Sequence, residues 1–203
     1  MNYSHVVSTD AITKTSEALE KNGFIVQVVE SGEEAKHKVL SLIPAGAEVM
    51  TMTSVTLETI KLTEELNHSG MYDSVRTRLN KMNREEHHRQ MQRLGAAPQY
   101  AVGSVHAVTE EGVVLIASNS GSQLPAYVYG SDHVIWVVGA QKIVPNLESG
   151  MKRLYDYVLP LESERARKAY GMPGSFVSKL LIYNREPNKG RITIIFVKEV
   201  LGY

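Results

Sequence analysis

The sequence contains no cysteine, a single tryptophan, three phenylalanines and no excess of either charge. Without a thiol the chain forms no disulfide, carries no thiolate nucleophile and offers no ligand of its own to a cysteine-bound zinc or iron–sulfur centre. Its 22 basic residues are cancelled by 22 acidic ones, which speaks against a dedicated nucleic-acid binder, because phosphate neutralisation needs a basic excess on at least one face. No apolar run approaches the ~18 residues of a membrane span. Residues 1–14 contain no apolar segment of the kind a signal peptide needs, so a cytoplasmic protein is expected. Neither G-x-G-x-x-G nor a Walker lysine occurs, and Glu85-Glu-His-His does not match H-E-x-x-H. No metal site is expected.

What is present reads as an α/β protein. At 203 residues and 43% apolar content the chain can bury a substantial core, and one domain over 1–203 is expected. A helix over 8–22 stops at Gly23, and an apolar strand follows at 24–29. The capping box Ser31-Gly-Glu-Glu34 opens a helix ended by Pro44 and Gly46. A strand over 47–52 feeds Thr53-Ser54-Val55-Thr56 into a helix at 57–66. Residues 67–97 are polar and helical; their cluster of Arg76, Arg78, Lys81, Arg84, His87, His88, Arg89 and Arg93 is interleaved with acids and reads as a solvated face. Helices are expected at 146–157 and 162–170, and strands at 104–109, 113–117, 134–138, 179–183 and 192–197. Alternation of strand and helix gives a mostly parallel sheet. The last two strands, separated by the turn-like Pro187-Asn-Lys-Gly190, read as an antiparallel hairpin added to it.

Candidate site residues gather where small polar residues interrupt apolar strands. The loop Ser118, Asn119, Ser120, Gly121, Ser122, Gln123 lies between strands, and small residues with free backbone N–H groups make room for an anionic ligand. Thr53, Ser54 and Thr56 stand at a strand-to-helix junction, where they act as an anion site or as simple helix caps. Ser104 and His106 share one face of a predicted strand, as a nucleophile–base pair or as a hydrogen-bonded, partly buried histidine. Glu110 sits in a Glu-Glu-Gly turn, as a carboxylate at the mouth of the sheet or as a hairpin residue beside a left-handed Gly112. Gly174 and Ser175 lie in a segment that suits a helix stop or a loop over a ligand.

Together Thr109-Glu-Glu-Gly-Val-Val114, Leu124-Pro125, His133-Val-Ile and Gln141-Lys-Ile-Val144 resemble the LUD domain of the lactate-utilisation family, which includes the LutC and YkgG proteins. MTMTSVTLETI, LGAAPQY, GSVHAVTEEG, SNSGSQLPAY, LPLESERA and GMPGS resemble its short stand-alone bacterial members over nearly the whole chain. The resemblance implies a three-layer α/β/α fold of the NagB/RpiA/CoA-transferase kind, with the segment 1–23 packed on a single LUD-type domain. It also implies a place in the oxidation of L-lactate to pyruvate beside iron–sulfur partner proteins. The absence of cysteine fits a subunit that holds no cluster, with no cofactor of its own and a small anionic metabolite as ligand; homo-oligomerisation is left open. One departure stands out: where the larger family shows an acid-Thr-Gly-Thr run, Glu110 is followed by Glu111-Gly112-Val113. That run resembles the S-E-N-G run of CoA transferases, whose glutamate forms an acyl thioester. The alternative is therefore a free-standing acyl- or CoA-transferase-like or sugar-phosphate enzyme with Glu110 as nucleophile or base.

Overall fold

A computed structural model of the chain describes residues 3–203, with every side chain except that of Tyr170. The first two residues of the N-terminal segment lie outside the described residues. The segment Ile192–Val197 (β10) is buried at every position, as a strand covered on both faces of a parallel sheet must be. It lies between β1 (Ile25–Val29) and β7 (His133–Gly139), and the sheet continues through β4 (Tyr100–Gly103) and β2 (Glu48–Thr51) to β3 (Asp73–Ser74). All five pairings are parallel.

Alternate residues along these strands serve two different apolar clusters. Val49, Tyr100, Val102, Ile135, Val137, Ile195 and Val197 face one side and pack with Ala35, Val39, Leu57, Leu62 and Leu66. Those last residues come from α2 (Gly32–Leu42), α3 (Val55–Thr59) and α4 (Leu62–His68). Met50, Ala101, Val134, Trp136, Val138, Ile194 and Phe196 face the other way, and Ile12, Leu19, Val114 and Ile116 share their cluster. The period-2 alternation of a strand thus builds three layers from continuous apolar runs.

The second face is covered by α1 (Thr9–Lys21) and a smaller sheet. That sheet runs in the order β8 (Ile143–Val144), β5 (Ala107–Thr109), β6 (Val114–Ser118), β9 (Lys179–Tyr183). Here the structure departs from expectation: the strands near His106, Val113 and Leu180 leave the central sheet. Nor do β9 and β10 form a hairpin. β9 runs antiparallel to β6, while β10 is parallel to both of its neighbours. The residues explain the division, because β9 is half exposed and suits a sheet edge, whereas β10 has no polar side to turn outward. The connection between them is held by buried Glu186, which accepts from the Tyr183 hydroxyl at 2.6 Å and pairs with Arg191 at 2.7 Å.

Three local differences matter further on. The predicted strand 104–109 is broken at residues 104–106, which turn the corner from the central sheet to the small one. The helix expected at 57–66 is split at Lys61, which adopts a left-handed φ of 54°. The two helices expected at 146–157 and 162–170 form one rod: α7 (Leu147–Lys152), a π-helical turn (Arg153–Val158) and α8 (Leu159–Tyr170). Pro160 has no N–H to donate, and the widened turn just before it absorbs the missing bond. Helices α5 (Val75–Asn80) and α6 (Arg84–Ala96) follow β3, and α6 buries no side chain. Among the described residues no helix is long and apolar enough to cross a membrane.

The Glu-Glu-Gly turn is locked to α1. Gly112 has φ of +80°, and a Cβ there would stand 2.8 Å from the Ala18 carbonyl carbon. The Asn22 amide reaches the Glu111 and Gly112 carbonyls at 3.3 and 3.1 Å. Gly112→Ala meets strain and backbone together, and is expected to destabilise the protein by about 2 kcal/mol or more. Urea unfolding monitored by far-UV circular dichroism will measure it; a loss below about 0.5 kcal/mol, the range of ordinary surface changes, would show that the turn does not clamp α1.

Candidate functional site

Because the central strands are parallel, their C-terminal ends collect at one edge, where open α/β sheets place their ligands. Thr53, Ser54 and Thr56 follow β2, Ser104 to His106 follow β4, Lys142 closes the turn after β7, and Tyr203 comes in after β10. These residues line a cleft of about 310 Å³. The small sheet supplies the opposite wall: Ser118, Asn119, Ser120, Ser122 and Gln123 at the end of β6, and Gly174 and Ser175 ahead of β9. Met52, Leu154, Met172 and Phe176 add apolar surface, and Phe176 is exposed at 59%.

Most of the predicted site residues therefore meet in one place, but two do not. Gly121 is not a wall residue; its φ of +85° only turns the loop. Glu110 opens onto a separate hollow with Tyr3, His5, Ser8 and Gln141, and its carboxylate is paired with Lys14 at 2.8 Å. In the loop 118–123 two N–H groups are used internally: Gly121 N–H donates to Ser118 Oγ at 2.8 Å and Ser122 N–H to Ser120 Oγ at 3.3 Å, and just past the loop Leu124 N–H donates to the Gly121 carbonyl at 3.1 Å. What it presents to the cleft is hydroxyl and amide side chains.

At the N-terminus of α3, Ser54 is the cap, accepting from Leu57 N–H at 3.4 Å. Thr56 has another task. Its hydroxyl donates to the Leu201 carbonyl at 3.2 Å and accepts from Lys142 Nζ at 2.9 Å. Gly202 passes so close that a Cβ on it would lie 2.6 Å from Thr56 Oγ1. Gln141 holds the same C-terminal segment, donating to the Leu201 and Gly202 carbonyls at 3.0 and 3.2 Å.

Lys142 is the residue sequence reading missed. It is 1% exposed, and besides Thr56 its amine contacts Ser104 Oγ at 3.0 Å and the Val105 carbonyl at 3.2 Å. Burial, with the nearby Arg153 charge, holds its pKa well below the usual lysine value. His106 is pushed down to about 3, chiefly by burial, with the Arg153 charge adding to it. Its Nδ1 accepts the Ala117 N–H at 3.1 Å, which places the proton of the neutral ring on Nε2. His106 is therefore no base at neutral pH. Behind the corner, fully buried Arg153 donates to the His106 carbonyl and lies over the rings of Tyr3 and Tyr157, 5.8 and 5.4 Å from their centroids.

Three more wall residues were invisible or misread. Arg76, read as part of a solvated face, lines the cleft and donates twice to the Thr51 carbonyl, at 3.1 and 2.7 Å. Glu162 and Arg165 form a bidentate pair at 2.8 and 2.7 Å, and Glu162 also accepts from Tyr203 at 2.8 Å. Burial opposes ionisation of Glu162, yet the bonds from Arg165 and Tyr203 hold its pKa below the ordinary value. Gly103 keeps its place because a Cβ there would fall 1.8 Å from the Tyr127 hydroxyl, another wall group.

Fold and cleft together define a three-layer α/β protein with a polar-walled cleft at the C-terminal edge of its central sheet. Residues 12–197 match the LUD domain, and the chain belongs to the LUD-domain family. Its fold is similar to the 1.70 Å crystal structure of a DUF162 family protein from Deinococcus radiodurans, with a TM-score of 0.56 at 11% identity, covering 94% of this chain and 99% of that one. At that identity the likeness concerns the fold. No protein among curated ones matches the sequence.

The part-buried His106 imidazole makes a pH test. Its folded pKa of about 3 lies below the unfolded value of 6.5, so between these limits the unfolded chain binds more protons. Its contribution is present above pH 6.5 and is lost as pH falls toward 3, by about 1.4 kcal/mol per pH unit. His106→Gln removes that titration, and denaturant unfolding from pH 7.5 to 4 should show a shallower loss for the variant. Parallel curves would mean that His106 titrates normally.

Proposed function

We propose that this LUD-domain protein binds a small carboxylate- or phosphate-bearing metabolite in the cleft and serves the oxidation of L-lactate to pyruvate beside iron–sulfur partner proteins. The observation that carries the binding half is the cleft wall itself. Arg76 joins the hydroxyls of Thr53 and Ser122 around it, while Ser118 donates to Gln123 Oε1 and Ser120 to Ser122 Oγ; Glu162, the single wall carboxylate among the described residues, is already occupied by Arg165. Guanidinium and hydroxyl donors are the groups that recognise carboxylate and phosphate oxygens. Family membership supports the metabolic half, and the lack of cysteine is in keeping with redox centres held by partners.

The acyl-transfer reading built on Glu110 draws less support. Its carboxylate is engaged by Lys14 and faces a different hollow from the one walled by Ser118 and Thr53. A role for it would have to act from there.

Thermal unfolding with L-lactate, pyruvate, inorganic phosphate or coenzyme A tests the proposal. At a concentration 100 times its Kd a ligand adds about 2.7 kcal/mol, a rise of several degrees for a chain of this size. Arg76→Met should lose most of that rise relative to its own baseline, whereas Glu110→Gln should keep it and change intrinsic stability by under about 0.5 kcal/mol. No shift with any of the four probes, or an undiminished shift in Arg76→Met, would sink the binding proposal. Genes for cluster-binding proteins beside this one would support the lactate assignment; their absence would count against it.

A further inference from the structure

We infer that Ser104 is a nucleophile and Lys142 its general base, acting on an activated carboxylic acyl group, an ester or thioester, held in the cleft. The inference rests on the cleft being the binding site and adds a chemical step to it.

The hydrogen-bond accounting around Lys142 carries the argument. The amine meets Thr56 Oγ1, Ser104 Oγ and the Val105 carbonyl, at 2.9, 3.0 and 3.2 Å, and no carboxylate is among these partners. An ammonium buried without a counter-charge sheds its proton, in keeping with the lowered pKa of Lys142. A neutral amine has two protons to give and one lone pair to fill. The Val105 carbonyl can only accept. The Thr56 hydroxyl has committed its one proton to the Leu201 carbonyl, so toward Lys142 it can only accept too. Both amine protons are thereby assigned. The lone pair is left facing Ser104, whose hydroxyl is the one partner still able to donate. A hydroxyl donating to a neutral amine is the ground state of a serine activated by lysine.

The surroundings suit that chemistry. Ser104 is partly exposed at the cleft wall, and the buried Lys142 amine stands directly behind it at 3.0 Å. Ser104 lies on the corner between the two sheets, and Arg153 braces that corner through the His106 carbonyl. His106, with its ring proton on Nε2, gives the same wall a neutral N–H donor for a developing oxyanion. In the first step Ser104 Oγ bonds to the acyl carbon while its proton passes to Lys142 Nζ. The bond from carbon to the leaving oxygen or sulfur then breaks, and Lys142 returns the proton to the departing group. Water releases the acyl group by the same route: Lys142 takes a proton from the attacking water, the serine ester breaks, and Ser104 Oγ recovers its proton. No oxidant or metal is consumed.

The test uses the full chain, with p-nitrophenyl acetate and a small alkyl fluorophosphonate as probes, read by intact mass and peptide mapping. The expected result is one adduct per chain, on Ser104, with fluoride released by the second probe. The labelling rate should rise with pH through a single ionisation and level off well below pH 10. Ser104→Ala should lose the adduct, and Lys142→Met should slow labelling by at least about 100-fold, the scale of a lost general base. An adduct confined to other residues, no adduct, or Lys142→Met labelling at the wild-type rate would overturn the inference. If Lys142→Met fails to fold, the wild-type profile decides alone: a rate that simply tracks hydroxide through pH 10 overturns it. Anion-induced stabilisation without Ser104 labelling would overturn this inference and leave the binding proposal standing; failure of both measurements removes both.

Discussion

A strand with no polar face has to be covered twice, and the architecture follows from that constraint. β10 and β7 are apolar at almost every position, so neither face of the central sheet can meet water. One face takes α2 to α4, and the other takes α1 and the small sheet. Covering the second face with a sheet, instead of helices alone, creates the cleft. The chain leaves the end of β4 and must turn a corner to begin β5, and the same edge receives the ends of β2, β7 and β10. Polar groups from five segments then converge where two sheets diverge.

That convergence has an electrostatic consequence. Lys142 and His106 are polar groups placed in the dry part of the junction, where the charged form of each is disfavoured. Burying an amine is costly unless its hydrogen bonds are met. Thr56, Ser104 and Val105 meet them here, and Leu201 and Gln141 in turn fix Thr56 and the chain beyond it. The charge-bearing groups that stay ionised, Arg76 and the Glu162–Arg165 pair, belong instead to partly exposed helix surfaces flanking the cleft. One wall is therefore neutral and rich in hydrogen bonds, and the rim is charged. A small anion placed between them would meet its counter-charge at the rim and donors of fixed direction at the floor.

Local signals were legible wherever one segment determined its own conformation. The Ser31 capping box, Gly112 in the turn and the apolar strands could be read because their causes are contained in a few consecutive residues. The assignment of strands to sheets could not, since it depends on which partner each strand finds. The site was legible as loops and not as chemistry. Thr53, Ser118 and Ser175 could be proposed from small polar residues at strand ends, and the meeting of the parallel sheet's C-terminal edge with the small sheet brought them together. Lys142 was hidden inside Gln141-Lys-Ile-Val144, a run noted only for its family resemblance, because nothing in the chain near it announces that three oxygens from distant segments will surround its amine. Arg76 was obscured by its basic neighbours: it turns back toward the Thr51 carbonyl, and Arg78 turns to Glu48 and Asp73, while Lys81, Arg84 and Arg89 stay exposed.

Glu110 shows how a motif can be read correctly in sequence and still stand apart in space. The Glu-Glu-Gly run forms the tight turn its composition calls for, with Thr109 N–H bonded to the Val113 carbonyl at 2.8 Å. But a turn at the start of β6 lies at the opposite end of that strand from Ser118, which enters the cleft. Five strand residues at about 3.4 Å each separate the two ends by more than a small metabolite spans. The geometry of a single strand is thus enough to assign the turn to the packing of α1 and the far end to the cleft, whatever family of enzymes the motif brings to mind.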